Sequence, residues 1–333
     1  MKNVLSQISR WTSGGSSRII VTTMVSGALV GGAMMMGSAI SAPHDRIGAG
    51  HWFGLPFGEG MGQTTVPVQI VEDAEGLAAL FASMNYQLQD VRSGRGVVPA
   101  VFLSQIPSDL PEVDSLEQRK ALFFKAMLPL ILDVNETIRA DRARLEQLVN
   151  RIATGKTLST AERLWLAHLA DRYQLDGVDF AQLLHRVDVV PPSLALAQAA
   201  IESGWGSSRF AREGHAFFGQ KRAAIVDQSG STLMDGDGSL FRSFEDPREA
   251  VRSYIHNLNT HSAYRDLRSF RAEMRVRGRS LDGGDLAQFL IRYSERGKDY
   301  VKDVRMMIKA NSLHDLDGAR LEGRPIHVIM QGV

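Results

Sequence analysis

The chain of 333 residues has no cysteine, which excludes disulfides, thiolate metal sites and cysteine nucleophiles together. It has no excess charge of either sign: 38 Lys and Arg stand against 37 Asp and Glu, so no basic surplus points to nucleic acid as a partner. A metal-binding histidine pattern is missing too. Of the nine histidines, His256 and His261 are the nearest pair in a helical stretch, five apart where a shared metal prefers four. Asp235, Asp237 and Ser239 alternate as in a calcium loop. Leu240 stands where that loop needs glycine and Asp246 where it needs glutamate, so the stretch reads as a polar turn between two strands. No internal repeat is present, and no cofactor or metal is implied.

What is there is a globular composition, 44% hydrophobic and 23% charged, on a chain long enough for one large domain or two modest ones. Lys2, Arg10 and Arg18 precede an uncharged run from residue 19 to 40, long enough at ~1.5 Å per helical residue to cross the ~30 Å hydrocarbon core. Residues 1–42 therefore read as an export signal or an uncleaved anchor. The positive flank places the rest of the chain on the outer, periplasmic face of the inner membrane. Residues 43–66 are rich in Gly and Pro and read as a linker.

Residues 67–190 read as a mostly helical N-terminal region, with strand-like patches at 66–71 and 97–103. Ser115 with Gln118 and Ser159 with Glu162 mark two helix starts, Gly177 a stop, and Pro129 a place where a long helix can kink. Residues 191–310 read as helix, glycine-rich loop, polar hairpin and three more helices. That is an α+β domain, mainly helical, with a cleft between lobes. Residues 311–333 form a tail without a strong pattern. Arg271, Arg275, Arg277 and Arg279 read as a solvated helix face, and Asp246 as the cap of the helix opened by Pro247.

Within PPSLALAQAAIESGWG, the prolines open a helix and Gly204 closes it, so Glu202 falls in the last turn with Gln198 one turn behind on the same flank. The helix dipole and partial burial beside Ala199, Ile201 and Trp205 both raise a carboxyl pKa at this place. A carboxyl kept protonated near neutral pH is what a general acid needs, and glycoside hydrolysis is the reaction class that uses one. Phe217, Phe218 and Phe244 read first as core, with a groove lining as the alternative.

AQAAIESGWGSSRFA resembles the catalytic-helix signature of the bacterial glucosaminidases, glycoside hydrolase family 73, and especially their Bax-like branch. HAFFGQK, FRSFEDPREAVRSYIHNL and YSERGKDYVKDVRMMI resemble that family's next three segments, in order, across residues 191–310. The resemblance implies a lysozyme-like fold with a small β-lobe. It also implies cleavage of the β-1,4 bond between N-acetylglucosamine and N-acetylmuramic acid in peptidoglycan glycan strands. It makes Glu202 the proton donor and gives Trp205, Phe218, Tyr293 and Tyr300 as wall residues of the sugar groove; Gln198, one turn before Glu202, is read as a further substrate-binding residue. The family's second glutamate has no counterpart between Glu213 and Glu245. Asp227, Asp235 and Asp237 are the candidates, and the substrate's acetamido group is the alternative. A lytic transglycosylase and a non-catalytic wall-binding module are the rival functions.

Overall fold

The computed structural model describes residues 67–220, 232–234 and 240–331. The expected signal or anchor and the linker lie outside these residues. Among the described residues no helix is long and apolar enough to cross a membrane.

The spine is a single helix of 38 residues, Leu116–Ala153, roughly 57 Å long at 1.5 Å per residue. Ser115 caps its start by accepting the N–H of Gln118 at 3.3 Å, and Pro129 sits inside it without ending it. Its buried stripe, with Phe123, Phe124, Met127, Leu130 and Ile131, carries the core on which the other elements pack. In chain order the helices are α1 (Ala74–Ser83), α2 (Leu88–Arg92), α3 (the spine), α4 (Thr160–Arg172) and α5 (Phe180–Arg186). They continue with α6 (Pro192–Ser203), α7 (Arg209–Gly214), α8 (Pro247–Thr260), α9 (Arg265–Val276), α10 (Gly283–Ala287) and α11 (Lys298–Ala310). Ser159 and Glu162 form the reciprocal capping box at the start of α4. That helix ends at Arg172, ahead of Gly177, because Gln174 already turns left-handed at φ 56°.

The two strand-like patches are strands β1 (Val68–Val71) and β2 (Val98–Leu103). They do not touch each other. Between them lies β5 (Leu321–Met330), parallel to both, with Val71 opposite Met330 and Leu103 opposite Val328. The tail expected to be patternless is thus the central strand of the sheet. A separate antiparallel hairpin, β3 (Thr232–Met234) and β4 (Leu240–Arg242), falls where the polar hairpin was expected. The described chain is mainly helical with a small parallel sheet, an α+β arrangement.

The supposed solvated arginine face holds for Arg277 and Arg279, which are exposed, and is corrected by the structure for Arg271 and Arg275. Arg271 is 0% exposed and Arg275 is half-buried, because both turn inward onto Asp188. Arg275 grips that carboxylate through Nε at 2.8 Å and Nη2 at 2.5 Å, and Arg142 approaches from α3 at 3.5 Å. Burial raises the Asp188 carboxyl, but the three guanidiniums outweigh it and hold the group below the usual carboxylate range. Asn259 completes the knot, donating to the Asp188 carbonyl and accepting from Arg271. This knot fixes α3, α8 and α9 to the segment that enters α6.

Candidate active site

Helix α6 is buried along almost its whole length; Leu194, Ala195, Leu196, Ala197 and Ala199 have no exposed surface. Its small residues allow neighbouring backbone to come close. A Cβ on Gly283, the first residue of α10, would lie 2.1 Å from the Ser193 hydroxyl and 2.7 Å from the Leu194 nitrogen. Asp317 holds this end together, accepting from the Ser193 N–H and hydroxyl, both at 2.8 Å. Burial pushes its carboxyl up to about 6 against the pull of those donors.

At the other end Gly204 adopts the left-handed conformation, φ 55° and ψ 47°, and closes the helix just after Glu202 and Ser203. Trp205 and Gly206 continue left-handed at φ 62° and 78°, turning the chain sharply away. The Ser203 hydroxyl ties the turn, donating to the Ala199 carbonyl and accepting from Gly206 N–H. The Trp205 indole packs edge-on against Phe124, 5.2 Å between centroids, with Lys120 Nζ over its ring at 5.4 Å. The structure therefore packs Trp205 against α3, where it anchors this turn.

Glu202 is half-buried. Burial raises its carboxyl above the ordinary range, while a hydrogen bond from the Tyr300 hydroxyl and the Arg296 charge act the other way. Gly219, left-handed at φ 59°, lays its backbone against the carboxylate. Hairpin strand β4 supports that loop, since Arg242 N–H donates to the Gln220 carbonyl at 3.0 Å.

Tyr300 comes from α11 and is 2% exposed. Its hydroxyl accepts from Gln198 Nε2 at 2.9 Å, and Gln198 Oε1 accepts from the Tyr254 hydroxyl at 2.7 Å. Tyr293 stacks on Tyr300 at 5.5 Å, and its hydroxyl donates to the Phe218 carbonyl at 2.7 Å. Phe218 in turn stacks on Tyr254 at 4.1 Å. Burial drives the hydroxyls of Tyr254, Tyr293 and Tyr300 far above the usual tyrosine value, so all three remain protonated donors.

The structure thus brings Glu202, Gln198, Phe218, Tyr293 and Tyr300 together. Gln198 at 0% and Phe218 at 1% exposure stand behind the carboxylate and offer no surface to a ligand. Asp227, Asp235 and Asp237 lie outside the described residues. Among the described residues no group of three or more His, Asp or Glu is placed to hold a metal ion.

Residues 178–313 match the family model Glucosaminidase, described as mannosyl-glycoprotein endo-beta-N-acetylglucosaminidase. Protein bax of Escherichia coli (strain K12) is 33% identical over 203 residues, which cover 59% of this chain and 71% of that protein. The chain belongs to the Bax-like branch of the glucosaminidase family. The family region begins ahead of α5, so it takes in Asp188 with Arg271 and Arg275, though not Arg142, as well as the helix that bears Glu202. Two solved structures are also similar. The catalytic domain of the autolysin Auto from Listeria monocytogenes is 17% identical, with 51% of this chain and 97% of that one covered at a TM-score of 0.28. The glycoside hydrolase domain of Salmonella typhimurium FlgJ is 20% identical, with 46% and 89% covered at 0.29.

Three site residues escaped the sequence reading. Tyr254 lies on the α8 face shared by Ala250, Val251 and Leu258, so its spacing reads as plain core. Gly219 carries no side-chain chemistry; its signal is the position after two phenylalanines in HAFFGQK. Arg296 sits in a loop, and its charge gives no cue to its neighbour.

Proposed function

We propose that the protein is a peptidoglycan hydrolase, an endo-β-N-acetylglucosaminidase in which Glu202 is the general acid. Membership of the glucosaminidase family supports the reaction class. The observation that carries the residue assignment is the half-buried Glu202 carboxyl, raised by burial and held between the Tyr300 hydroxyl and the Gly219 backbone. A carboxyl so placed keeps its proton closer to neutral pH than a solvated one.

In the first step Glu202 gives that proton to the bridging oxygen as the bond from the N-acetylglucosamine C1 breaks, so the departing sugar leaves as a neutral alcohol. The positive charge developing at C1 is met by a carboxylate or by the substrate's own acetamido oxygen. Asp227, Asp235 and Asp237 are the carboxylate candidates. Water then adds at C1, and its proton restores a carboxyl acid. Tyr300 and Arg296 stabilise the Glu202 carboxylate between these steps. Peptidoglycan lies outside the inner membrane, which agrees with an export signal or anchor at residues 19–40.

The test is digestion of purified sacculi by the wild type and by Glu202→Gln, with products read by mass spectrometry. Wild-type products ending in reducing N-acetylglucosamine, lost in a folded Glu202→Gln variant, support the proposal. Full activity in the variant removes Glu202 from its role. Anhydro-muramic ends replace hydrolysis with the transglycosylase reaction, and binding of wild type to sacculi without sugar release makes the protein a wall-binding module.

A further inference from the structure

We propose that Gln198 and Tyr254 are positioning residues, forming a one-way hydrogen-bond chain that confines the Glu202 proton to the carboxyl oxygen Tyr300 does not hold. The inference rests on the general-acid reading of Glu202 and deepens it.

The sense of the chain follows from its ends. An ionised carboxylate only accepts, so Tyr300 donates its proton to Glu202. The Tyr300 oxygen then accepts from Gln198 Nε2 at 2.9 Å. The amide is thereby oriented with Oε1 toward Tyr254, whose buried hydroxyl proton needs an acceptor and finds it at 2.7 Å. All three links are satisfied in one direction. A reversed chain would set the Tyr254 hydroxyl proton against the amide N–H donors with no acceptor. Gln198 and Tyr254 are both 0% exposed, so water does not relieve that mismatch.

When Glu202 takes up a proton, the Tyr300 side is closed to it. The Tyr300 hydroxyl already accepts from Gln198 and has its own proton directed at the carboxyl, so a second donor there would oppose the first. The acidic proton must sit on the other carboxyl oxygen, which on the general-acid reading is the one that meets the glycosidic bond. The other polar groups around Glu202 do not compete for the role. Tyr293 donates to the Phe218 carbonyl, Tyr264 bonds Asn257 behind Tyr293, and Arg296 acts by charge and pairs with Asp303 at 2.5 Å. A buried glutamine whose two ends meet two tyrosines is thus a polarity setter, where its place one turn before Glu202 suggested a sugar contact.

The experiment titrates Glu202 without substrate, by the infrared carboxyl band that disappears in Glu202→Gln, in wild type, Gln198→Leu and Tyr254→Phe. Freeing Tyr300 to accept a proton from Glu202 stabilises the protonated acid. The Glu202 midpoint is therefore expected to rise by about one pH unit in Gln198→Leu, a tenfold change in its ionisation constant. Tyr254→Phe, which keeps the ring stacked on Phe218, is expected to shift it in the same direction by less. The alkaline limb of sacculus digestion should move with the midpoint. An unchanged midpoint in folded Tyr254→Phe, with or without a folded Gln198→Leu, overturns the proposal. The titration needs no turnover, so it fails or stands separately from the digestion test, which alone decides whether Glu202 is catalytic.

Discussion

A Cβ placed on Gly219 would lie 2.6 Å from Oε2 of Glu202. No real side chain tolerates that approach, and at φ 59° any residue but glycine also carries backbone strain of about 1–2 kcal/mol. Gly219→Ala is therefore expected to push the carboxyl out of its seat and to lower sacculus turnover roughly 100-fold, as misplacement of a reacting group by about 1 Å does. Thermal unfolding is expected to shift by only a few degrees. Turnover and unfolding measured on the same preparation check this; near-normal turnover would show that the Gly219 backbone does not seat Glu202.

The same burial that fits Glu202 for acid chemistry makes it a poor residue for stability. Its carboxyl is raised in the folded state, so the stability tied to its protonated form is fully present below the ordinary glutamate value. It is lost as pH rises through the higher folded value. Above that point a half-buried negative charge weakens the fold. Glu202→Gln stays neutral at every pH and can still accept from Tyr300. Its Tm at pH 7 is expected to equal or exceed that of wild type by up to about 4 °C, with the gap closing below roughly pH 4. Parallel unfolding scans at pH 7 and pH 4 check the sign.

Where the sequence could be read, local backbone rules applied without competition. Gly204 ends α6 because a helix needs a left-handed residue there. Asp246 caps α8 by accepting from Glu249 N–H at 2.7 Å, and Ser159 boxes with Glu162, all as their spacing implies. What escaped depended on partners far along the chain. Arg271 has the look of a surface charge until Asp188, 83 residues away, is placed beside it. Gln198 sits on the flank of its helix as a ligand contact would, and only the tyrosines at 254 and 300 make it a buried link. The candidate acid was legible for the same reason as the helix end, since Glu202 and Gly204 lie within one turn. The support around it comes from α8, α11 and the 219 loop, which sequence spacing does not relate.

Asp188 offers a test of that long-range support. Its side chain is 2% exposed and faces Arg142, Arg271 and Arg275. Asp188→Ala removes the one carboxylate shared by three guanidiniums and leaves fully buried Arg271 uncompensated, a change of the kind that costs about 3–5 kcal/mol. Wild-type stability should also show the imprint of this group. Its carboxyl is held low, so its contribution is present above the unfolded aspartate value near 4 and is lost as pH falls below that toward the folded value. Denaturant unfolding from pH 7 to pH 2 is expected to show the loss in wild type. In Asp188→Asn that part of the acid dependence should be missing, on a lower baseline at pH 7.

The last strand gives a prediction in which neighbouring residues should behave oppositely. Along β5 successive side chains point to opposite faces, so Val328 is 1% exposed while Ile329 is 47% exposed. That alternation holds only over the last few residues, and apolar Ile329 on the open face blurs it, which is why the tail reads as patternless. β1 and β2 pair with β5 and not with each other, so the sheet exists only through this strand. Burying a carboxylate at position 328 sets its desolvation against the core around Val101 and Leu103, whereas the same change at 329 meets water. Val328→Asp is expected to lose several kcal/mol and to open residues 67–110 to proteolysis. Ile329→Asp should stay within about 0.5 kcal/mol of wild type. Equal stability of the two variants by denaturant unfolding would mean that β5 does not fill the centre of the sheet.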